Sequence, residues 1–461
     1  MTTTSAYSDT QTGYLGWLGI IRMGLVQTSL GAIIVLTTST INRVMVVELA
    51  LAAALPGALV AWHYALQFLR PRWGYGADTG GRRTPWIIFG IATLGLGGTG
   101  AALAVALLAT SFWPGLALAV LAFTLVGIGV GAAGTNLLAL LATRVDPGRR
   151  APAATIVWMM MIAGFVVTTI IASHYLAPFS MTRLVAVTAT VSAIALAVSC
   201  LALWGVEPAR PLPDRQPVEA NSDGASKVAF REALAEVWNE PQARRFTIFV
   251  FVSMLAYSMQ DLILEPFAGF AFGLSPAEST KLAGHQHTGV FLGMALVAIA
   301  GHPRVGFGSL RSWTVGGCIA SALALLALVL AGLFAPDWPL TATVIALGFA
   351  NGAFAVAAIG TMMGLAGEGR ERREGIRMGL WGAAQAIAFG AGGFIGAAAA
   401  DLFRGFVSEP ADAFTVVFAF EAMLFLVSAI LGLRAIVETR TAAPPLFARP
   451  VGDVAKAGTA A

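Results

Sequence analysis

Apolar residues run along this chain in long blocks, separated by short polar stretches that often carry arginine. A helix rises about 1.5 Å per residue, so about twenty apolar residues cross the roughly 30 Å hydrocarbon core of a bilayer. Read for such blocks, the sequence predicts twelve spans. The first six are Ile21–Ile41, Leu49–Leu69, Trp86–Leu108, Leu116–Leu141, Ala154–Tyr175 and Leu184–Val206. The second six are Phe246–Phe270, Thr288–Gly301, Ser312–Phe334, Leu340–Leu365, Ile376–Ala400 and Phe414–Val437. The eighth is short and Gly-rich.

The two sets look related. Arg149 and Arg150 precede Trp158, and Arg372 and Arg373 precede Trp381 at the same spacing. Each basic pair closes one apolar block and opens the next. Internal repetition of this kind marks a transporter scaffold, with a binding site where the halves meet. The expected organisation is a disordered N-terminus over 1–14, a six-helix bundle over 15–206 and a cytoplasmic linker over 207–243. A second six-helix bundle over 244–439 and a disordered tail over 440–461 follow. Within the linker, Phe230, Leu234, Val237 and Trp238 fall at helical spacing among charges. This predicts an amphipathic helix over Ser226–Asn239, lying on the cytoplasmic leaflet or on the bundle ends.

Composition agrees with a membrane solvent: 57% of the 461 residues are hydrophobic and 11% charged, against about 25% charged in a soluble domain. The net charge of +4 does not indicate nucleic acid, because the basic residues sit in short loops between spans. With both termini cytoplasmic, all of the 28 Lys and Arg except Arg43, Arg183, Lys281 and Arg404 lie on that side or at its span ends, as the positive-inside rule requires. Cys200 and Cys318 fall inside spans, so neither a disulfide framework nor a thiolate metal site is expected. Met1 to Tyr14 lacks the basic and apolar regions of a cleaved signal peptide, so insertion is expected to rely on the first span.

Polar residues inside spans are costly and by default functional. Gln27 lies within the first span, and Asn42, Arg43 and Glu48 follow its end, where Arg43 and Glu48 are placed to pair. In the seventh span Gln260, Asp261 and Glu265 precede Pro266. The two carboxylates are four residues apart, hence on one helical face, and Pro266 is expected to break or kink the helix beside them. Because the first and seventh spans are repeat equivalents, these acids are expected near Arg43. Gln385 and Glu421 are further candidates for a cavity lining. His63 lies in the second span, and His285 and His287 precede the eighth. Each has the chemistry of a magnesium ligand as neutral imidazole, although a hydrogen-bonded interfacial role is the commoner one. No catalytic residue and no protein metal site is expected.

The loop after the second span carries Gly74, Asp78, Gly81, Arg82 and Arg83. It resembles the loop signature of the major facilitator superfamily, departing at Thr79, where that pattern has a basic residue. The glycines permit a tight turn, and Asp78, Arg82 and Arg83 are suited to contacts that favour one global state over another. The resemblance implies an all-α polytopic protein with the major facilitator fold, twelve spans in two six-helix pseudo-repeats. It is closer still in four strings. These are Gly24 to Gly31, Leu36 to Leu49, Gln260 to Phe267 and Gly379 to Gly390, which look like the PucC-like, bacteriochlorophyll-delivery branch, in particular the member associated with bacteriochlorophyll synthesis genes.

That resemblance implies a protein of the inner, intracytoplasmic photosynthetic membrane that handles or delivers bacteriochlorophyll or a precursor for assembly of light-harvesting complexes. The partners implied are the pigment, antenna polypeptides or pigment-synthesis enzymes, and the bilayer. No cofactor is required, with bacteriochlorophyll as a bound ligand. A synthase label attached to part of the family finds no support in the residues. A membrane prenyltransferase holds magnesium and diphosphate through Asp-rich motifs, and no Asp-x-x-x-Asp pair occurs here. Two alternatives stay open: a proton-coupled transporter of a small amphiphile, using Asp261, Glu265 or Glu421, and an accessory subunit of pigment synthesis.

Overall fold

The computed structural model describes residues 14–69, 82–146, 149–207, 238–301, 305–367 and 374–436. Of the expected linker helix only Trp238 and Asn239 are described, both helical; residues 1–13 and 437–461, Gly74, Asp78, Gly81, Arg372 and Arg373 lie outside the described residues. Thirteen helices form the described chain. In the first half they are α1 (Trp17–Glu48), α2 (Ala54–Ala65, tightened over Leu66–Leu69), α3 (Thr84–Leu108), α4 (Phe112–Arg144), α5 (Arg150–Leu176) and α6 (Met181–Leu203). In the second they are α7 (Pro241–Met259), α8 (Leu264–Phe272), α9 (Pro276–Ala300), α10 (Leu310–Leu333), α11 (Leu340–Gly367), α12 (Glu374–Arg404) and α13 (Pro410–Ala435).

Among the described residues, ten helices are long and apolar enough to cross a membrane, and α7 with α8 makes an eleventh, bent by 42°. The described part of α2 is shorter, although it occupies the place of the second predicted span. Three of the predicted spans need correction. The first does not end at Ile41 but continues to Glu48. It does so by widening its turns over Leu36–Thr40 and Val44–Glu48, where bonds run five residues back. The eighth is not short: α9 begins at Pro276 and has 25 residues. A capping box between Ser275 and Glu278 starts it, satisfying two of the amide groups left over at a helix N-terminus. His285 and His287 are therefore inside the span rather than before it. The seventh is interrupted by a tight turn over Gln260–Leu262.

Helix pairing repeats between the halves. In the first, α3 packs on α4, α1 on α5 and α6, α3 on α6, and α2 on α4. In the second, α10 packs on α11, α7 on α12 and α13, α10 on α13, and α9 on α11. Between them, α5 packs on α9 and α2 on α12, which exchange when the halves exchange. The interiors differ in filling. The first half packs aliphatic side chains such as Ile20, Met23, Ile91 and Leu94. The second is built on Phe246, Phe249, Phe267, Phe354, Phe418 and Phe425. Trp381 is buried edge-on to Phe246 at 4.9 Å, whereas its repeat counterpart Trp158 is exposed. The outward faces carry Leu96, Leu121, Leu201, Leu323 and Leu402, as a bundle dissolved in lipid requires.

Helices α9 and α11 approach closely through glycines. A Cβ on Gly289 would stand 2.2 Å from the Ile345 carbonyl oxygen, and one on Gly352 would stand 2.1 Å from that of Val290. With no hydrophobic drive between helices in lipid, such small-residue contacts supply the dispersion that holds them. Gly289→Val is expected to cost about 1–3 kcal/mol through overpacking. A lowered thermal unfolding midpoint in detergent reads this, and Gly134→Ala, at a glycine with nothing within 4 Å, leaves the midpoint unchanged.

Candidate functional site

Opposite the Arg-rich loops, the ends of the two halves are tied by polar contacts that start from α1. Arg43 is 2% exposed, and its Nη1 donates to Glu48 Oε1 at 2.5 Å. Its Nη2 donates to the Leu274 carbonyl, in the turn between α8 and α9. One guanidinium thus satisfies a carboxylate of its own half and a backbone carbonyl of the other. The expected Arg43–Glu48 pair is present. Thr40 and Thr280 hydroxyls meet at 2.9 Å, again between halves.

The break in the seventh span explains another contact. Pro266 has no N–H, so no amide returns to the carbonyl of Leu262, four residues earlier. Asn42 Nδ2 donates to that carbonyl at 2.7 Å. Pro266 sits in the first turn of α8, where a missing N–H costs nothing, and the chain turns at Ile263 ahead of it. The proline starts the new helix rather than kinking a continuous one. As a result Asp261 and Glu265 do not share a face, which corrects the sequence expectation. Glu265 is buried beside α1, with Arg43 and Ser279 as the polar groups acting on it. Neither of its carboxylate oxygens has a hydrogen-bond partner among the described residues.

Asp261 is exposed, although helices of both halves surround it. It interacts with Tyr257 and with Glu421 of α13, and Tyr257 interacts in turn with Tyr64 of α2. Phe389 of α12 stands 6.1 Å from Tyr64 and 5.7 Å from Tyr257 between ring centres. An accessible carboxylate thus lies among half-buried aromatic rings of α2, α7 and α12. Glu421 and Gln260 lie behind it, both fully buried, and their side-chain oxygen and nitrogen atoms have no partner among the described residues. Gln385 is half-buried nearby in α12, its Nε2 only 3.9 Å from the Met254 sulfur.

The remaining candidates lie apart from this group. Gln27 is buried on α1, with Nε2 donating to the Met161 sulfur at 3.1 Å. His63 is 2% exposed, closed in between Tyr64 and Phe123. His285 and His287 are half-buried on different sides of α9. Of the loop signature, Arg82 is exposed and Arg83 half-buried, with the Arg83 and Thr84 amides donating to the Glu207 carboxylate at 2.7 to 3.0 Å.

Sequence reasoning missed two carboxylates. Glu207 caps α3. Asp401, on α12, accepts from the Ala53 and Ala54 amides at 2.9 and 2.6 Å, capping α2 across the halves at the same end as Arg43. Arg404 pairs with Asp401 at 3.7 Å and lies over the Phe270 and Phe414 rings. An acid at a helix N-terminus satisfies orphan amides and the helix dipole together. When the acid comes from a distant span, no local sequence signal marks it.

Two bundles of repeated pairing, joined through α2 with α12 and α5 with α9, define a membrane protein with the major facilitator fold. Solved structures follow the same path. A bacterial homologue of the human lysosomal transporter Spinster, in an inward-facing and unoccupied conformation, matches with TM-score 0.60 at 17% identity, covering 91% of this chain and 95% of that one. A proton-dependent oligopeptide transporter matches with TM-score 0.65 at 15% identity, covering 91% and 98%. Within that fold the chain belongs to the PUCC protein family, whose model matches residues 40–440. It is 53% identical to the bacteriochlorophyll synthase 44.5 kDa chain of Rhodobacter capsulatus, over 93% of this chain and 97% of that one. It is 28% identical to protein PucC of the same organism, over 89% and 90%.

Proposed function

We propose that this protein is a non-enzymatic carrier that handles bacteriochlorophyll or a precursor of it during assembly of light-harvesting complexes. It would work in the inner membrane of a phototrophic bacterium, with both termini cytoplasmic as the arginine distribution favours. The observation that carries the reading is membership of the PUCC family, in a chain where α2 of one half meets α7 and α12 of the other through aromatic rings. Asp261, Tyr257 and Tyr64 provide polar contacts there, and Phe389 provides an apolar wall. Partner antenna polypeptides or pigment-synthesis enzymes would receive or supply the pigment through the lipid. A transporter fold and the lack of paired aspartates favour carriage over synthesis, against the synthase name of the relative.

The test is the absorption spectrum of the detergent-purified full-length protein, with extracted pigment identified by mass. Bound bacteriochlorophyll or a precursor is expected, and the deletion strain is expected to lose antenna absorbance. Pigment-free protein together with normal antenna levels overturns the reading.

A second reading, proton-coupled transport of an amphiphile, is favoured by Glu421, a fully buried carboxylate without a hydrogen-bond partner among the described residues that interacts with the accessible Asp261. It predicts that a pH gradient drives bacteriochlorophyllide into proteoliposomes and that Asp261→Asn abolishes the uptake. Uptake indifferent to the gradient removes it.

A further inference from the structure

The seam between α5 and α9 holds an imidazole in an unusual setting. His287 is at the midpoint of the 25-residue α9, about 17 Å from its Pro276 end at the helical rise, hence near the centre of the bilayer. It is half-buried. None of the described residues hydrogen-bonds either ring nitrogen, and neither nitrogen is sealed from its surroundings. In hydrocarbon an unsatisfied polar group of this kind is costly. Structural polar residues in the same helix show the contrast: Thr280 is paired with Thr40, and Thr288 donates to the Gly284 carbonyl at 2.8 Å.

The neighbours of His287 are apolar, aromatic and soft. Its ring lies 4.9 Å from that of Phe165 on α5, tilted by 57°. Phe165 and Met161 pack on Gly31 of α1, where a Cβ would approach them to 2.7 and 3.0 Å. Phe291, one turn on in α9, joins the same apolar cluster. Gln27 on α1 donates its amide to the Met161 sulfur, a weak acceptor that a carbonyl would readily replace. Three helices from both halves thus present one accessible nitrogen lone pair, flat and polarisable walls, and one exchangeable donor.

We propose that this constellation is a binding site for a magnesium tetrapyrrole, with His287 as the axial ligand to the metal. The inference rests on the pigment-handling reading and adds to it a site at the α5–α9 seam, separate from the aromatic group around Asp261. The chemistry fits part by part. Magnesium held in a macrocycle leaves an axial position for one imidazole, the ring faces match Phe165, Phe291 and Met161, and a peripheral keto group is an acceptor for Gln27. The other histidines do not fit. His63 is closed off by Tyr64 and Phe123 with its Nδ1 sealed. His285, two residues before His287, points about 200° away around the helix, with Lys281 beside it.

The experiment is titration of bacteriochlorophyll a, and in parallel of magnesium-free bacteriopheophytin a, into full-length protein in detergent. The visible absorption band sensitive to magnesium coordination is read alongside affinity. His287→Ala is expected to weaken bacteriochlorophyll binding by about tenfold or more and to shift that band. Bacteriopheophytin binding stays unchanged, and His285→Ala behaves as wild type. Added imidazole is expected to restore binding to His287→Gly, which decides the matter even where His287→Ala is poorly folded. Unchanged affinity and band in His287→Ala, or no imidazole rescue of His287→Gly, overturns the assignment while leaving the carrier reading intact. Absence of pigment binding by the wild-type protein overturns both.

Discussion

Arg43→Met is expected to destabilise the protein by about 1–3 kcal/mol, because the Leu274 carbonyl loses its donor and the carboxylates beside it lose their cation. The guanidinium satisfies Glu48 and the Leu274 carbonyl together, and it is the cation acting on buried Glu265. Its loss leaves two carboxylates without a positive neighbour, Glu265 buried and Glu48 half-buried at the end of the span. Arg43→Lys is expected to recover only part of the stability, because an ammonium lacks the fork that reaches two acceptors in different directions. Arg43→Met with Glu48→Gln and Glu265→Gln is expected to recover most of it, because uncompensated charge causes most of the loss. Thermal unfolding in detergent gives the order: wild type, triple variant, Arg43→Lys, Arg43→Met. Equal midpoints for the triple variant and Arg43→Met would show that packing of the guanidinium matters more than charge.

Asp401→Ala is the second large effect. It strips the acceptor from two adjacent amides of α2, each costing about 1–3 kcal/mol when left unsatisfied. The carboxylate comes from the opposite half, so the loss falls on the junction rather than on either bundle. The expected result is faster labelling of a cysteine placed at Ala53 by a membrane-impermeant maleimide, with Asp401→Asn intermediate because its amide oxygen still accepts. Unchanged labelling in Asp401→Ala would mean that the junction is held without this cap.

Hydropathy made most spans legible because lipid removes the alternatives: a long apolar block has no other place to go. It failed where polar side chains are matched by partners far away in sequence. The first twelve residues of α9, Pro276 to His287, read as a loop because Glu278, Thr280, Lys281, His285, Gln286 and His287 lower their hydropathy. Thr280 is satisfied by Thr40, and Gln286 is buried. Periodicity likewise put Asp261 and Glu265 on one face because it assumes an unbroken helix. Pro266 signalled the interruption but not its position three residues earlier, which the Asn42 bond to Leu262 supports. The Arg43–Glu48 pair was legible because it is local. Asp401 and Glu207 were not, since any of the loop carboxylates was equally entitled to cap a helix.

The widened turns of α1 bear on how the two halves are fastened at the Arg43 end. Each carries one residue beyond the ordinary repeat, and tightening either would rotate all that follows by about 100°. Thr40, Asn42 and Arg43 lie in or between those turns. A swivel of this one segment about its own axis would therefore unfasten several cross-half ties in concert, with no helix withdrawn from its neighbour.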